Sequence, residues 1–173
     1  HDVYFHDERW ERMASAGPGQ VFAVAQKLGA PDSVRIADSQ IIQHADGFPV
    51  SVWGIVGFRL ERSEVVYDGA SRTQIGVLIN GSAGVNGIRS TDLHVIDTSF
   101  TGPLRWVVWA SGSYLGLGTL EIVEVTAPQA LGGLYCDNAT AQGAIIGPIT
   151  YGRNAMPLPQ WPCLPLIQAP PAD

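Results

Sequence analysis

Lysine is nearly missing from this 173-residue chain: Lys27 stands alone beside nine arginines and sixteen acidic residues, and the formal charge is −6. A surface without clustered Lys and Arg has little with which to neutralise phosphates, so neither nucleic acid nor an anionic membrane is an expected partner. Charge of either sign is scarce too, at 15% of residues, against about a quarter in ordinary soluble domains. The surface must lean on Gly, Ser, Thr, Asn and Gln, as in secreted β-proteins or subunits largely covered by partners. No apolar run reaches the ~18 residues that a spanning helix needs, which argues against membrane insertion. Four histidines and two cysteines, the latter not in C-x-x-C spacing, give little material for a zinc site. No G-x-S-x-G elbow is present, and the Gly81, Gly84, Gly87 spacing is not a dinucleotide fingerprint.

Proline, by contrast, is concentrated. Six of the twelve prolines lie between Met156 and Asp173, interleaved with Leu158, Trp161, Leu164 and Ile167. Proline cannot donate to a β-ladder and is barred from helix interiors, so 156–173 is expected to run extended as a strap. Its apolar side chains need a covering surface, either the strap's own domain or a neighbouring chain. A bridge between Cys136 and Cys163 would clip this strap to the body and fits an exported protein, the alternative being two buried free thiols; processing of a longer precursor is one explanation of a start at His1. The localisation expected on these grounds is secreted or cell-surface.

The body divides into an N-terminal arm with a short helix (1–30), a β-domain (31–155) and the strap. In the arm, Val21, Val24, Ala25 and Leu28 recur at helical spacing, with Gly29 and Pro31 as stop signals. In the domain, 34–43, 50–67, 73–80, 93–100, 104–110 and 119–126 are rich in β-branched and aromatic residues. Asp46-Gly47, Asp68-Gly69, Asn80-Gly81 and Asn86-Gly87 punctuate them as hairpin signals. The fold class expected is therefore mainly β, an antiparallel β-sandwich or barrel, with no internal repeat.

Three functions compete. The leading expectation is an exported, non-enzymatic structural subunit that forms homo-oligomers through its terminal arms, using Leu158, Trp161, Leu164 and Ile167. The second is a carbohydrate or small-ligand module. Trp106 and Trp109, three apart on a strand, should face opposite sides, so one of them is free to stack on a sugar together with Tyr114 or Tyr151. The third is a metal site. A histidine at position 1 offers an amine and an imidazole, and with His44 or His94 as third ligand it resembles the histidine-brace copper proteins, such as lytic polysaccharide monooxygenases. That resemblance implies copper, whereas the first two readings require no cofactor. Asp92-x-His94 places a carboxylate and an imidazole on one strand face.

Overall fold

A strand of three to seven residues that meets a corner, rather than a reversal, continues into the next sheet of a coil, and this chain repeats that step throughout. The computed structural model describes residues 2–16, 19–25, 33–53, 55–69, 75–80, 92–111, 116–117, 119–129, 133–137, 145–146 and 149–151. The first coil is β1 (Asp2–His6), β2 (Arg9–Arg12) and β3 (Gly19–Ala25); the second is β4 (Ser33–Ala37), β5 (Gln40–Gln43) and β6 (Gly47–Trp53). The third is β7 (Gly57–Glu61), β8 (Glu64–Tyr67) and β9 (Ile75–Asn80); the fourth is β10 (Asp92–Ile96), β11 (Ser99–Thr101) and β12 (Trp106–Ser111). After β13 (Gly116–Leu117), the fifth coil runs through β14 (Thr119–Val123), a bridge from Thr126 to Ser99, and β15 (Gly133–Asp137). The last strands are β16 (Ile145–Ile146), paired with β13, and β17 (Ile149–Tyr151).

Strands of successive coils stack into three sheets. Sheet A has the order β1-β4-β7-β10-β14-β17, sheet B β11-β8-β5-β2, and sheet C β15-β12-β9-β6-β3. Every described pairing is parallel. The architecture is a three-faced parallel β-solenoid, with one 3₁₀ turn (Ala14–Ala16) and no α-helix among the described residues. This overturns the antiparallel sandwich or barrel expected from sequence, and with it the N-terminal helix. The strap lies outside the described residues.

The reason lies at the corners. Asp46-Gly47 and Asp68-Gly69 do turn the chain, but from sheet B towards sheet C rather than back on itself. Gly47, at φ 138°, sits so tightly under Gly19 that a Cβ there would lie 1.8 Å from its carbonyl oxygen. The corners between sheets A and B carry no glycine, and the strands expected over 34–43, 50–67, 93–100 and 119–126 each span one of them. There Asp7, Asp38, Arg62, Asp97 and Glu124 each take a single left-handed conformation, φ 44–57°. One positive φ bends a chain, whereas the favoured two-residue hairpin of Asn-Gly type needs two in succession.

The interior consists of stacked columns: Phe5, Ile36, Leu60, Val95 and Ile122 from sheet A, Trp10, Ile41 and Val65 from sheet B, and Phe22, Val50, Val77 and Val108 from sheet C. Burying each such side chain contributes about 1.5–3 kcal/mol. Sheet C has a bend that explains two misread spacings. Its ladders pass from Gln20–Phe48 to Phe22–Val50, from Ile75–Trp106 to Val77–Val108 and from Trp106–Gly133 to Val108–Tyr135, so one residue pair drops out each time. At the bend two consecutive residues, Val107 and Val108, both enter the core. In β3 the same bend sends Val21, Phe22 and Val24 inward, which mimics helical spacing in a strand. Pro49 occupies the skipped position in β6, where its missing N–H costs no ladder bond.

At the same level in β9, Gly76 lies under the Phe100 ring, and a Cβ would approach it to 2.7 Å and the Val107 carbonyl oxygen to 2.8 Å. Gly76→Ala is therefore expected to lower stability by about 1–3 kcal/mol, as overpacked cores do. Urea unfolding checks this, and an unchanged midpoint would show that the ring has room to move.

Candidate functional site: a polar groove along one corner

The left-handed corner residue is followed by a hydroxyl in three successive coils: Asp38-Ser39, Arg62-Ser63 and Asp97-Thr98. The hydroxyls do the work of missing main-chain partners. Ser39 Oγ donates to the Ala37 carbonyl (2.6 Å) and accepts from Glu8 N (3.1 Å); Ser63 Oγ donates to the Glu61 carbonyl (2.8 Å) and accepts from Ser39 N (3.2 Å). Thr98 Oγ1 repeats the donation to the Ile96 carbonyl at 2.8 Å. Main-chain bonds tie the corners together coil to coil, from Asp38 N to Glu61 O (3.2 Å), Arg62 N to Ile96 O (3.1 Å) and Asp97 N to Val123 O (2.8 Å). With the inner position satisfied, the left-handed residue turns its side chain to solvent.

The outcome is an open groove of about 860 Å³ along the A/B corner, to which all five coils contribute. The first supplies Asp7, Glu8 and Arg9; the second Asp38, Ser39 and Gln40; the third Arg62, Ser63 and Glu64; the fourth Asp97, Thr98 and Ser99; the fifth Glu124 and Thr126. Part of this lining is locked. Arg62 donates to both oxygens of Asp38 (2.8 and 2.6 Å), which holds that carboxyl below its usual range and pushes the guanidinium further up. Gln40 Nε2 donates to Glu64 at 2.6 Å and its carbonyl accepts from Arg9. Asp97 has no side-chain hydrogen bond to the described residues, and its carboxylate faces the groove as an acceptor.

Beside the groove, Glu61 is only 2% exposed yet charged. Burial alone would raise its pKa, but bonds from Arg35 (2.9 Å through Nε), Arg59 and Arg62 (2.7 Å) hold it down to about 2. Arg35 also lies 4.8 Å over the Tyr4 ring, so the outer face of sheet A is bound across its first three coils.

The residues singled out from sequence fall elsewhere. His44 is clasped by Asp68 (Nδ1, 2.6 Å) and Glu11 (Nε2, 2.8 Å), and His94 by Glu121 (Nδ1, 2.7 Å) and Asp92 (Nε2, 2.7 Å). His94 belongs to sheet A and His44 follows a sheet B strand; in both, each ring nitrogen is occupied by a carboxylate. Among the described residues no group of three or more His, Cys, Asp or Glu side chains could hold a metal ion. Trp106 and Trp109 lie together on the outer side of sheet C, because Val107 and Val108 both turn inward between them. They are 7% and 1% exposed and pack with Ile75, Leu78 and Phe48. Their Nε1 atoms have no hydrogen-bond partner among the described residues. Among the described residues the strongly exposed indole is Trp53, at 41%. Tyr151 lies in β17, and Cys136 in β15 opposite Trp109. His1, Tyr114, Leu158, Trp161, Cys163, Leu164 and Ile167 lie outside the described residues.

Sequence reasoning missed the groove, although a signal existed. Tyr4, Arg35, Arg59, His94 and Glu121 are stacked neighbours on sheet A, and each opens a similar seven-residue stretch: YFHDERW, RIADSQI, RLERSEV, HVIDTSF and EIVEVTA. Compared with known protein families, curated proteins and solved structures, the chain matches none of them.

Two pH dependences of opposite sign follow from the ion pairs. Glu61 has a depressed folded pKa, so its contribution is complete above about 4.5 and is lost as pH falls towards about 2. Glu61→Gln should cost about 2 kcal/mol at neutral pH and flatten the acid side of a plot of Tm against pH. His44 has a raised folded pKa, chiefly through its bonds to Glu11 and Asp68, so its contribution is complete below 6.5 and fades as pH rises past the folded value. His44→Gln should remove the alkaline-side decline in Tm between pH 6 and 9. A variant that kept this decline would assign it to another group.

Proposed function

We propose that the protein binds an elongated, hydroxyl-rich chain, a neutral or amine-bearing polysaccharide, along the A/B corner groove. The observation that carries this reading is the groove's construction: five coils each add polar side chains to one continuous trough. Coils of parallel strands repeat at about 4.8 Å, so five of them set out a ruled surface roughly 20 Å long. Such a surface suits a ligand that is itself a repeat. Carboxylates accept hydrogen bonds from sugar hydroxyls, and the locked Arg62–Asp38 and Gln40–Glu64 pairs present their remaining donors and acceptors in fixed positions. Six carboxylates against two guanidinium groups in the lining disfavour polyanionic chains.

Affinity electrophoresis and calorimetry against neutral, amine-bearing and acidic polysaccharides test the reading. Binding is expected for the first two classes, and Asp97→Ala should weaken it about tenfold, the loss of one charge-assisted hydrogen bond. Trp53→Ala, on the outer face of sheet C, should leave it unchanged. Preference for acidic chains, sensitivity to Trp53 rather than Asp97, or no binding across the panel would overturn the proposal.

A further inference from the structure

The first coil is the least enclosed unit of the solenoid. None of residues 2–16 and 19–24 is buried, whereas the second coil holds Val34, Ile36, Ile41, Val50 and Val52 at 0–2% exposure. Phe5, Trp10 and Phe22 point inward, with ring centroids 5.7, 5.7 and 5.5 Å apart, and form an aromatic end face that is only half-buried. Their strands β1, β2 and β3 lie at the edges of their sheets, each paired on one side among the described residues. An end repeat rests on one neighbour only, and a segment with little buried apolar surface opens at a fraction of the global cost.

Side chains tie this coil to the next. Ser33 donates to Asp2 (2.6 Å), Arg35 lies over Tyr4, Arg9 donates to Gln40, and His44 bonds Glu11 (2.8 Å). Of these ties, the His44–Glu11 pair alone changes charge near neutral pH; the other first-coil pair with a histidine, His6–Asp7, stays within the coil. His44 meets Glu11 through Nε2 and Asp68 through Nδ1 (2.6 Å), and both carboxylates are bonded only by an imidazolium, since the neutral ring has one N–H. One proton therefore fastens the first coil to the second and, through Asp68, to the segment after β8 in the third. The charged residues around the pair are Arg9, which also donates to Glu11 (3.1 Å), Arg12, whose guanidinium donates to the Ala16 carbonyl (3.1 Å), and Asp46, which accepts from Tyr67 Oη (3.3 Å).

We propose that the first coil is a latched end of the solenoid, which opens as a unit away from the second coil when His44 loses its proton. Opening removes Glu11 but leaves Asp68 beside His44, so Glu11 supplies the coupling. His44 is more basic with both carboxylates than with Asp68 alone, and Glu11 is held below its usual 4.5 by His44 and Arg9. The latch is therefore complete between 4.5 and 6.5 and is lost as pH rises through the closed-state value of His44. Because the first coil carries Asp7, Glu8 and Arg9 of the groove wall, its opening shortens the groove from five coils to four. The latch itself does not depend on what the groove binds.

Hydrogen exchange of the full chain, read by mass spectrometry from about pH 6 to 9 and divided by the intrinsic exchange rate, tests the latch without any ligand. Amides in β1, β2 and β3 should show an opening constant that rises by up to about tenfold per pH unit above 6.5, the slope of one released proton, while amides in β7, β8, β10 and β11 stay level. His44→Gln and Glu11→Gln should each raise first-coil opening at pH 6 and remove its pH dependence. Glu11 is exposed, so its substitution leaves the core untouched and the test stands even if the His44 variant fails to fold. First-coil opening that does not change with pH, a rise shared equally by all coils, or a rise that survives Glu11→Gln would overturn the proposal.

Discussion

A single left-handed residue at each A/B corner, held by the hydroxyl or main-chain group beside it, is the constraint from which the rest of the structure follows. If one coil turned a residue early, its strand would slip and every side chain on it would change faces. Because Asp7, Asp38, Arg62, Asp97 and Glu124 turn at equivalent points, five coils stay in register and the interior columns meet like with like. Non-glycine residues in this conformation cost about 1–3 kcal/mol each. The buried bonds of Ser39, Ser63 and Thr98 and the coil-to-coil main-chain bonds offset that cost at the same place it arises.

The corner that organises the fold also creates its most distinctive surface. A left-handed residue sends its neighbour's hydroxyl inward and its own side chain outward, and stacking repeats that side chain once per coil. The groove is therefore a by-product of the winding, and its chemistry depends on which residues occupy a position chosen for conformation. Asp suits both demands, since it tolerates the left-handed region and presents acceptors. Arg62 and Glu124 are the exceptions. Bonds from Arg62 to Asp38 in the adjacent coil and to Glu61 in its own link the groove wall to the buried charge on sheet A.

Ion pairs act on the same stacked geometry from the outside. Glu61 gathers three arginines across the second and third coils, and His44 joins Glu11 of the first coil to Asp68 just after the third-coil strand β8. Residues far apart in sequence become neighbours because the coils are in register. In a chain with so few charges, such crossings give Glu61 and His44 partners in the adjacent coils. The first coil has such partners on one side only, which leaves its aromatic end face as the least enclosed part of the core.

The sequence determined the local elements: strand-forming stretches, the Asp-Gly turns and the low charge can be read from residue types. Alternation of inward and outward residues looks the same in a sandwich and a solenoid, so it could not choose between them. The choice rests on whether a turn reverses the chain or bends it, and at Asp38-Ser39 or Arg62-Ser63 that depends on one φ angle supported by bonds from the next coil. The repeat stayed hidden because equivalent residues lie 31, 24 and 27 apart in different coils, so no fixed period betrays them. The bend in sheet C misled in the same way, placing Trp106 and Trp109 on one side and giving β3 a helical spacing. Only the tertiary structure decided the groove, since its lining residues share no segment and meet because five equivalent corners stack.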